Sequence, residues 1–156
     1  MDLIKFDKLH SVLEQYGKDV ADNYKDQLEL NDSIASQKLI NSVTSTVVVG
    51  SQTFKVQLSL ENYWKYVEYG SKPHWPPPNK ILEWIKVKPV LPRPMSNGKL
   101  PTEKQLAFLI SRKIATVGIE PKPMLKKTLD QLNGYYIEMI KDAIAEDVQK
   151  AIIFTY

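Results

Sequence analysis

The chain has 156 residues, of which 43% are hydrophobic and 25% charged, and a formal net charge of +3 at pH 7. This composition is typical of one globular domain with its own core, and the lack of cysteine excludes disulfides and thiolate metal sites. We expect a protein that folds in a cytosol, because the sequence shows neither a signal-peptide apolar run nor the roughly 20 apolar residues of a membrane span.

The N-terminal stretch, residues 3–30, predicts one long amphipathic helix because its apolar residues recur in steps of three and four. Gly17 inside it weakens the helix by about 1 kcal/mol relative to alanine, which packing of the apolar stripe must outweigh. The run Asn31-Asp32-Ser33 breaks the pattern and is expected to cap a short helix that reaches Ile40. The stripe consists of Leu9, Leu13, Tyr16, Val20, Tyr24 and Leu28.

Two runs in residues 42–60 predict an antiparallel β-hairpin. Residues 42–50 are rich in valine and threonine, and the next run alternates apolar and polar side chains from Phe54 to Leu60. A period of two is typical of a half-buried strand. We expect the turn at residues 50–53 and a solvent-facing side that carries Lys55, Gln57 and Ser59.

An aromatic segment, residues 63–78, holds three tyrosines and two tryptophans and ends in three prolines. Helical spacing predicts a short helix that packs Tyr63, Tyr66 and Val67 inward and stops at Gly70, a residue that accepts positive φ. The prolines then favour an extended path. Asn79 is predicted to cap a second helix with an apolar stripe. That stripe is Ile81, Leu82 and Ile85, with Trp84 beside it.

Residues 87–101 form a proline-rich, basic segment without periodicity, so we expect a loop. Two interpretations stay open: a solvated surface loop, or an arm that docks on a neighbour through Leu91, Arg93 and Met95. Thr102 is predicted to cap the next helix, which ends at Gly118. The last helix is expected from Met124 to about residue 154. We therefore predict a single α+β domain over residues 1–156, with a small antiparallel β-sheet packed against long N-terminal and C-terminal helices.

Three segments resemble the tail-completion or neck (head-to-tail joining) protein family of long-tailed bacteriophages. The central one is Tyr66-Val67-Glu68-Tyr69-Gly70-Ser71, followed by Pro73-His74-Trp75-Pro76-Pro77 and Leu82-Glu83-Trp84. Residues 35–43 and 114–125 are similar to flanking elements of the family, in the same order. The resemblance covers about residues 35–129. The loop at residues 87–101 departs from the family pattern, which runs more directly into the next helix.

The resemblance implies a structural virion protein, not an enzyme, with no cofactor or metal. Such a protein is a subunit of a homo-oligomeric ring that joins the capsid connector to the tail tube or terminator proteins. DNA would pass through the lumen without sequence-specific binding, and no membrane is involved. The expected location is the virion neck, assembled in the host bacterial cytoplasm. The family also suggests that residues 151–156 form an edge strand.

Subunit contacts are expected from the residues that carry the resemblance and from the loop. Glu68 has three open roles: a helix-surface charge, an acceptor for N–H groups of the Gly70-Ser71 turn, or a partner of a basic residue across a subunit boundary. His74 lacks nearby His, Cys or paired carboxylates, so stacking is favoured over metal binding or base catalysis. The interface candidates are Tyr66, Glu68, Tyr69, Gly70, His74, Trp75, Pro76, Pro77, Trp84, Leu91, Arg93 and Met95.

Two other functions are compatible with the sequence. A small basic nucleic-acid-binding module is suggested by the sequence pI of about 8.9 and by lysines beside aromatic residues, such as Lys65, Lys72 and Lys80. A small hydrolase would use His74 and Glu68. The sequence shows no glycine-rich phosphate loop, no Gly-x-Ser-x-Gly elbow and no His-Glu-x-x-His motif.

Overall fold

The computed structural model describes residues 4–31, 38–88 and 90–152. Its two strands form an antiparallel sheet beside long N-terminal and C-terminal helices, which confirms the α+β fold class. The first helix begins at Asp7, so the predicted start at residue 3 is wrong. The elements are α1 (Asp7–Leu30), α2 (Lys38–Ser42), β1 (Thr44–Val49), β2 (Phe54–Ser59), α3 (Trp64–Tyr69), α4 (Pro78–Val87), α5 (Glu103–Val117) and α6 (Met124–Ala151).

The hairpin confirms the alternating pattern of the sequence. Thr44 pairs with Ser59 at one end and Val49 with Phe54 at the other. The turn closes with a 2.7 Å hydrogen bond from the Gly50 nitrogen to the Thr53 oxygen. The predicted solvent-facing side is exposed, and the other side of β2 is half-buried. This inner side supplies Phe54, Val56 and Leu58 to the core.

Helices α1 and α6 run antiparallel and carry the core in two clusters. In one, the N-terminal half of α1 packs against Tyr136 and Ala143 of α6 and against the hairpin. In the other, the C-terminal half of α1 packs against Met124 at the start of α6. Every predicted stripe residue of α1 is buried except Tyr16, which is half-buried. Packing in the two clusters therefore stabilises α1 and outweighs the weakening effect of Gly17.

Gly17 lies at a close approach of α1 to the hairpin. A β-carbon there would lie 3.0 Å from Cγ1 of Val56 and 3.1 Å from Cβ of Ser45. These separations are shorter than ordinary packing contacts, so the small residue lets the strands lie close to the helix.

Helices α4 and α5 begin differently. Thr102 starts α5 with a capping box, in which its side chain and that of Gln105 bond reciprocally to backbone N–H groups, so the predicted cap is confirmed. Helix α4 begins at Pro78 with Pro77 as its N-cap, so the predicted cap at Asn79 is wrong. A proline at the first helical position has the helical φ already and no N–H to satisfy, which explains the earlier start.

The predictions for the C-terminal end of the chain and for the proline-rich loop are tested only in part. Ala151 is the last helical residue of α6, so it is not part of the predicted edge strand. Residues 153–156 of that prediction lie outside the described residues, as does residue 89 of the predicted loop. Val87 is the last residue of α4, so the predicted loop begins one residue too early, and residues 90–101 contain neither helix nor strand, as predicted. Among the described helices, none is both long and apolar enough to span a lipid bilayer.

Candidate assembly surface

Two distant chain segments meet through a pair of glycines. The Ser71 nitrogen donates to the Ile119 oxygen and the Ile119 nitrogen donates to the Ser71 oxygen, both at 3.0 Å. Gly70 precedes one partner with φ 67° and ψ −163°, and Gly118 precedes the other with φ 77° and ψ −160°. This backbone region is essentially restricted to glycine. We call these four residues the glycine clamp.

Each glycine of the clamp also makes room for the opposite strand. A β-carbon on Gly70 would lie 2.1 Å from the Ile119 oxygen, and one on Gly118 would lie 2.1 Å from the Ser71 oxygen. Both separations are far below van der Waals contact. The predicted ends of α3 at Gly70 and of α5 at Gly118 are confirmed. The structure also shows that the two helix ends lie side by side and are paired in the clamp.

Glu68 is buried and caps α6. Its side chain is 3% exposed, and its carboxylate accepts hydrogen bonds from the Leu125 and Lys126 nitrogens, both at 2.9 Å. The N-cap residue of α6, Pro123, offers no side-chain cap. Glu68 therefore satisfies two N–H groups that would otherwise lack partners and places negative charge at the positive end of the helix.

This geometry corrects two of the predicted roles of Glu68. Its carboxylate accepts from the first turn of α6 and not from the Gly70-Ser71 turn, and its burial rules out a helix-surface charge. A further hydrogen bond connects α3 to the residues just before α6, since the Lys122 nitrogen donates to the Val67 oxygen at 2.9 Å. Helix α3, the clamp and the start of α6 thus form one unit.

Asp147 caps α1 in the same way. Its two carboxylate oxygens accept from the Lys8 nitrogen at 3.2 Å and the Leu9 nitrogen at 2.9 Å. The residue is 3% exposed. Sequence reasoning missed this role, although one signal was present. An aspartate one helical turn after Ala143, on the buried side of α6, requires a partner inside the protein.

Helix α3 turns its tyrosines outward. Tyr66 is 61% exposed and Tyr69 is 70% exposed, while Tyr63 just before the helix is 37% exposed. The prediction that Tyr63 and Tyr66 pack inward is therefore wrong. Val67 contacts the core as predicted, and Trp64 does so in place of the tyrosines, because these two residues share the side of the helix that places Glu68 against α6.

Trp75 and Phe108 form a second exposed aromatic group. Their rings meet edge to face with centroids 5.7 Å apart, and about half of each side chain is exposed. The backbone beside them is fixed to α5 by a 3.4 Å hydrogen bond from the His74 nitrogen to the Ile114 oxygen. Aromatic side chains thus lie on both sides of the clamp along the chain.

His74 is exposed and bonds locally. Its Nδ1 lies 2.9 Å from the Lys72 oxygen and 3.3 Å from the Ser71 hydroxyl. A carbonyl oxygen only accepts, so Nδ1 carries the proton and donates. The structure does not pair His74 with the carboxylate of Glu68, which is occupied at α6. The stacking role predicted for His74 stays a prediction.

The remaining candidates are spread over the α4 region and the loop. Pro77 is exposed, and Pro76 and Trp84 are half-buried. In the loop, Leu91 is 93% exposed and Arg93 is exposed. Met95 is half-buried and closes a small turn, with its nitrogen donating to the Lys99 oxygen at 2.9 Å.

A polar link between α1 and α6 was also missed. The Tyr136 hydroxyl donates to the Asp19 carboxylate, and the Tyr16 hydroxyl donates to the Asn133 side-chain oxygen at 2.6 Å. Burial, followed by the bond to Asp19, raises the pKa of Tyr136. Burial also raises the pKa of Tyr16. With the rings of Tyr16 and Tyr136 in contact, their centroids 4.8 Å apart, these hydrogen bonds fix the register of the two long helices.

An open cleft of about 470 Å³ lies between α1 and β1, and none of the predicted interface residues lines it. Comparison of the chain with models of known protein families, with curated proteins and with solved structures gives no match.

Proposed function

We propose that the chain is a structural subunit of the neck or tail-completion ring that joins the capsid connector of a long-tailed bacteriophage to its tail. One observation carries this proposal. Two segments on which the sequence resemblance rests, around Glu68 and Gly118, are far apart in the chain but meet in the clamp and at the start of α6. Because these two segments belong to the same resemblance and also contact each other in the structure, they support a common role for both in assembly.

The form of this unit suits assembly. The clamp and the Glu68 cap hold the backbone rigidly, while Tyr66, Tyr69 and Trp75 project outward. Exposed tyrosine and tryptophan on a rigid support are typical of protein interfaces, because they bury large area at little cost in conformational entropy. The aromatic side chains are therefore proposed to contact neighbouring subunits or the adjoining ring.

In this role the protein acts by surface complementarity and not by catalysis. Copies would contact one another head to tail in a closed ring. The capsid connector would lie on one side and the tail tube or terminator protein on the other, with DNA passing through the lumen. The protein would belong to the virion neck after assembly in the bacterial cytoplasm.

Removal of the gene from the phage that encodes the chain tests this function. Electron microscopy of the lysate should show DNA-filled heads and separate tails, and expression of the chain from a plasmid should restore joined particles. Normal joined particles without the chain would overturn the proposal. A loss confined to DNA replication or packaging, with no separated tails, would favour the nucleic-acid-binding module.

A further inference from the structure

Charge is segregated along the chain. Residues 61–123, which include α3, α4 and α5, carry eleven lysines and arginines but only five acidic residues. Helices α1 and α6 together carry eleven acidic residues and seven lysines. The modest net charge of +3 therefore results from a basic part and an acidic part whose net charges have opposite signs and similar magnitude.

The basic part contains a defined aromatic face. Lys104 and Arg112 each lie one helical turn from Phe108 on α5, so the three side chains form one row. Trp75 packs against Phe108. Lys104 and Arg112 are exposed, and neither has an ion-pair partner within the part of the chain that the structure describes. We call these four residues the Trp75 face.

A face of opposite charge lies on α6. Tyr135 is 65% exposed, and Glu138 and Asp142 follow at spacings of three and seven residues, which places all three on one side of the helix. Glu138 pairs with Lys141 at 2.7 Å, whereas Asp142 is exposed with no ion-pair partner among residues 4–31, 38–88 and 90–152. We call these three residues the Tyr135 face.

Within the part of the chain that the structure describes, no ring contact and no ion pair joins the two faces of one copy. The basic part is anchored to the start of α6, where Glu68 binds the Lys126 nitrogen. Asp142 lies sixteen residues further along the same helix, about 24 Å at 1.5 Å per residue. The two complementary faces of a single chain therefore point to different neighbours.

We propose that the Trp75 face of one copy docks on the Tyr135 face of the next copy, as the subunit contact of the ring. This inference rests on the proposed function. Each face offers an exposed aromatic side chain and charges of one sign, and the signs are opposite. A nucleic acid would neutralise the Trp75 face alone and would leave the Tyr135 face without a partner. Contact between two different patches is heterologous, as a closed ring requires.

Charge reversal of each face provides the test, with sedimentation equilibrium of the purified chain as the measurement. The variants are Lys104→Glu with Arg112→Glu on one face, and Glu138→Lys with Asp142→Lys on the other. Lys18→Glu with Lys55→Glu is the matched control, because these exposed lysines lie outside both faces. Circular dichroism confirms that each variant is folded.

The wild type should self-associate, with an affinity at least about tenfold weaker at 500 mM than at 50 mM salt. Each face variant alone should remain monomeric, since it carries two faces of the same sign. Their mixture should associate, because each variant then meets a complementary face, and the control should match the wild type. A monomeric wild type at low salt, association unchanged by both face variants, or a mixture that stays monomeric would overturn this inference.

The two proposals fail separately. If the face variants associate normally while gene removal still leaves heads and tails unjoined, the ring function stands and this contact is wrong. If Lys104→Glu with Arg112→Glu abolishes binding of a labelled single-stranded oligonucleotide without changing self-association, the Trp75 face is a nucleic-acid site and the inference is overturned.

Discussion

The carboxylate of Glu68 lies 2.9 Å from the backbone nitrogen of Leu125, which is 57 residues later in the chain. Through this bond a residue of the six-residue helix α3 caps a 28-residue helix. Because α6 has no cap of its own, the aromatic segment and the C-terminal helix depend on each other for stability. The surface proposed for assembly is thereby fixed to the largest element of the fold.

Replacement of Glu68 by glutamine tests this dependence. The variant keeps one acceptor oxygen but loses the charge, so the free energy of unfolding should fall by about 1–3 kcal/mol, the range for hydrogen bonds to charged groups. Urea denaturation followed by circular dichroism measures the change. Glu83→Gln is the control, because Glu83 is exposed, and it should alter stability by less than about 0.5 kcal/mol. Equal effects in both variants would contradict the capping role.

Alanine at Gly70 and at Gly98 distinguishes two effects of a side chain at positive φ. One is backbone strain, which both sites share, and the other is steric overlap with a neighbouring segment, which only Gly70 has. Gly98 has φ 74° with no atom within 4 Å of an added β-carbon, whereas Gly70 has φ 67° and faces the Ile119 oxygen. Gly98→Ala should therefore cost only about 1 kcal/mol of backbone strain. Gly70→Ala should cost at least about 2 kcal/mol more, because the clamp must open, and Gly70→Val should prevent folding or assembly. Similar melting curves for the two alanine variants would show that the clamp is not needed.

Local signals in the sequence predicted a large part of the fold. Alternation from Phe54 to Leu60 predicted the hairpin, Thr102 predicted the start of α5, and Gly118 predicted its end, because each depends on neighbours within a few residues. The direction of α3 was predicted wrongly. In a six-residue helix the tyrosines repeat as regularly as Trp64 and Val67, and only the packing of Glu68 against α6 decides which side is buried.

The partners in the polar contacts could not be predicted because they are distant in sequence. The bonds from Asp147 to Lys8 and Leu9 cross 139 and 138 residues, and no periodicity specifies them. Gly70 and Gly118 were each identified as stops, but their pairing depends on how α5 folds back. Asn79 was an incorrect choice of cap because three consecutive prolines precede it and any of them could start the helix.

Tyr24 predicts a stability change at alkaline pH. It is fully buried, and its hydroxyl has no hydrogen-bond partner among the described residues. Burial, with a smaller contribution from the charge of Glu68, raises the pKa of Tyr24 from 10.0 to about 12. Since the folded state holds this proton more tightly than the unfolded state, the contribution of Tyr24 to stability is constant below pH 10 and falls as pH rises from 10 to 12.

Tyr24→Phe should remove this contribution to the alkaline loss, which at pH 11, midway between the two pKa values, is about 1–1.5 kcal/mol. At pH 7 the variant should be as stable as the wild type or slightly more so, because an unsatisfied buried hydroxyl is removed. Urea denaturation at pH 7, 9 and 11 measures both effects. The same pH dependence in the variant and the wild type would show that Tyr24 does not titrate with unfolding.

The loop at residues 90–101 tests the choice between arm and surface loop. Its prolines limit the entropy lost on ordering, and Leu91, at 93% exposure, offers apolar surface to a neighbour. Under the arm hypothesis, hydrogen exchange of the Leu91 and Arg93 amides should slow by at least about tenfold on going from isolated chain to assembled particle. Equal exchange in the two states would reduce this segment to a spacer.

The central claim is that the exposed aromatic side chains join the head to the tail, and complementation of the gene-deleted phage tests it most directly. Tyr66→Ser with Trp75→Ser should leave the purified chain folded, at a cost of about 1 kcal/mol from the lost contact with Phe108. Ile4→Ser is the control, since Ile4 is 44% exposed outside this surface. Counted by electron microscopy, the control should restore joined particles, and the aromatic variant should leave filled heads and free tails. Joined particles at wild-type yield with the aromatic variant would contradict the claim.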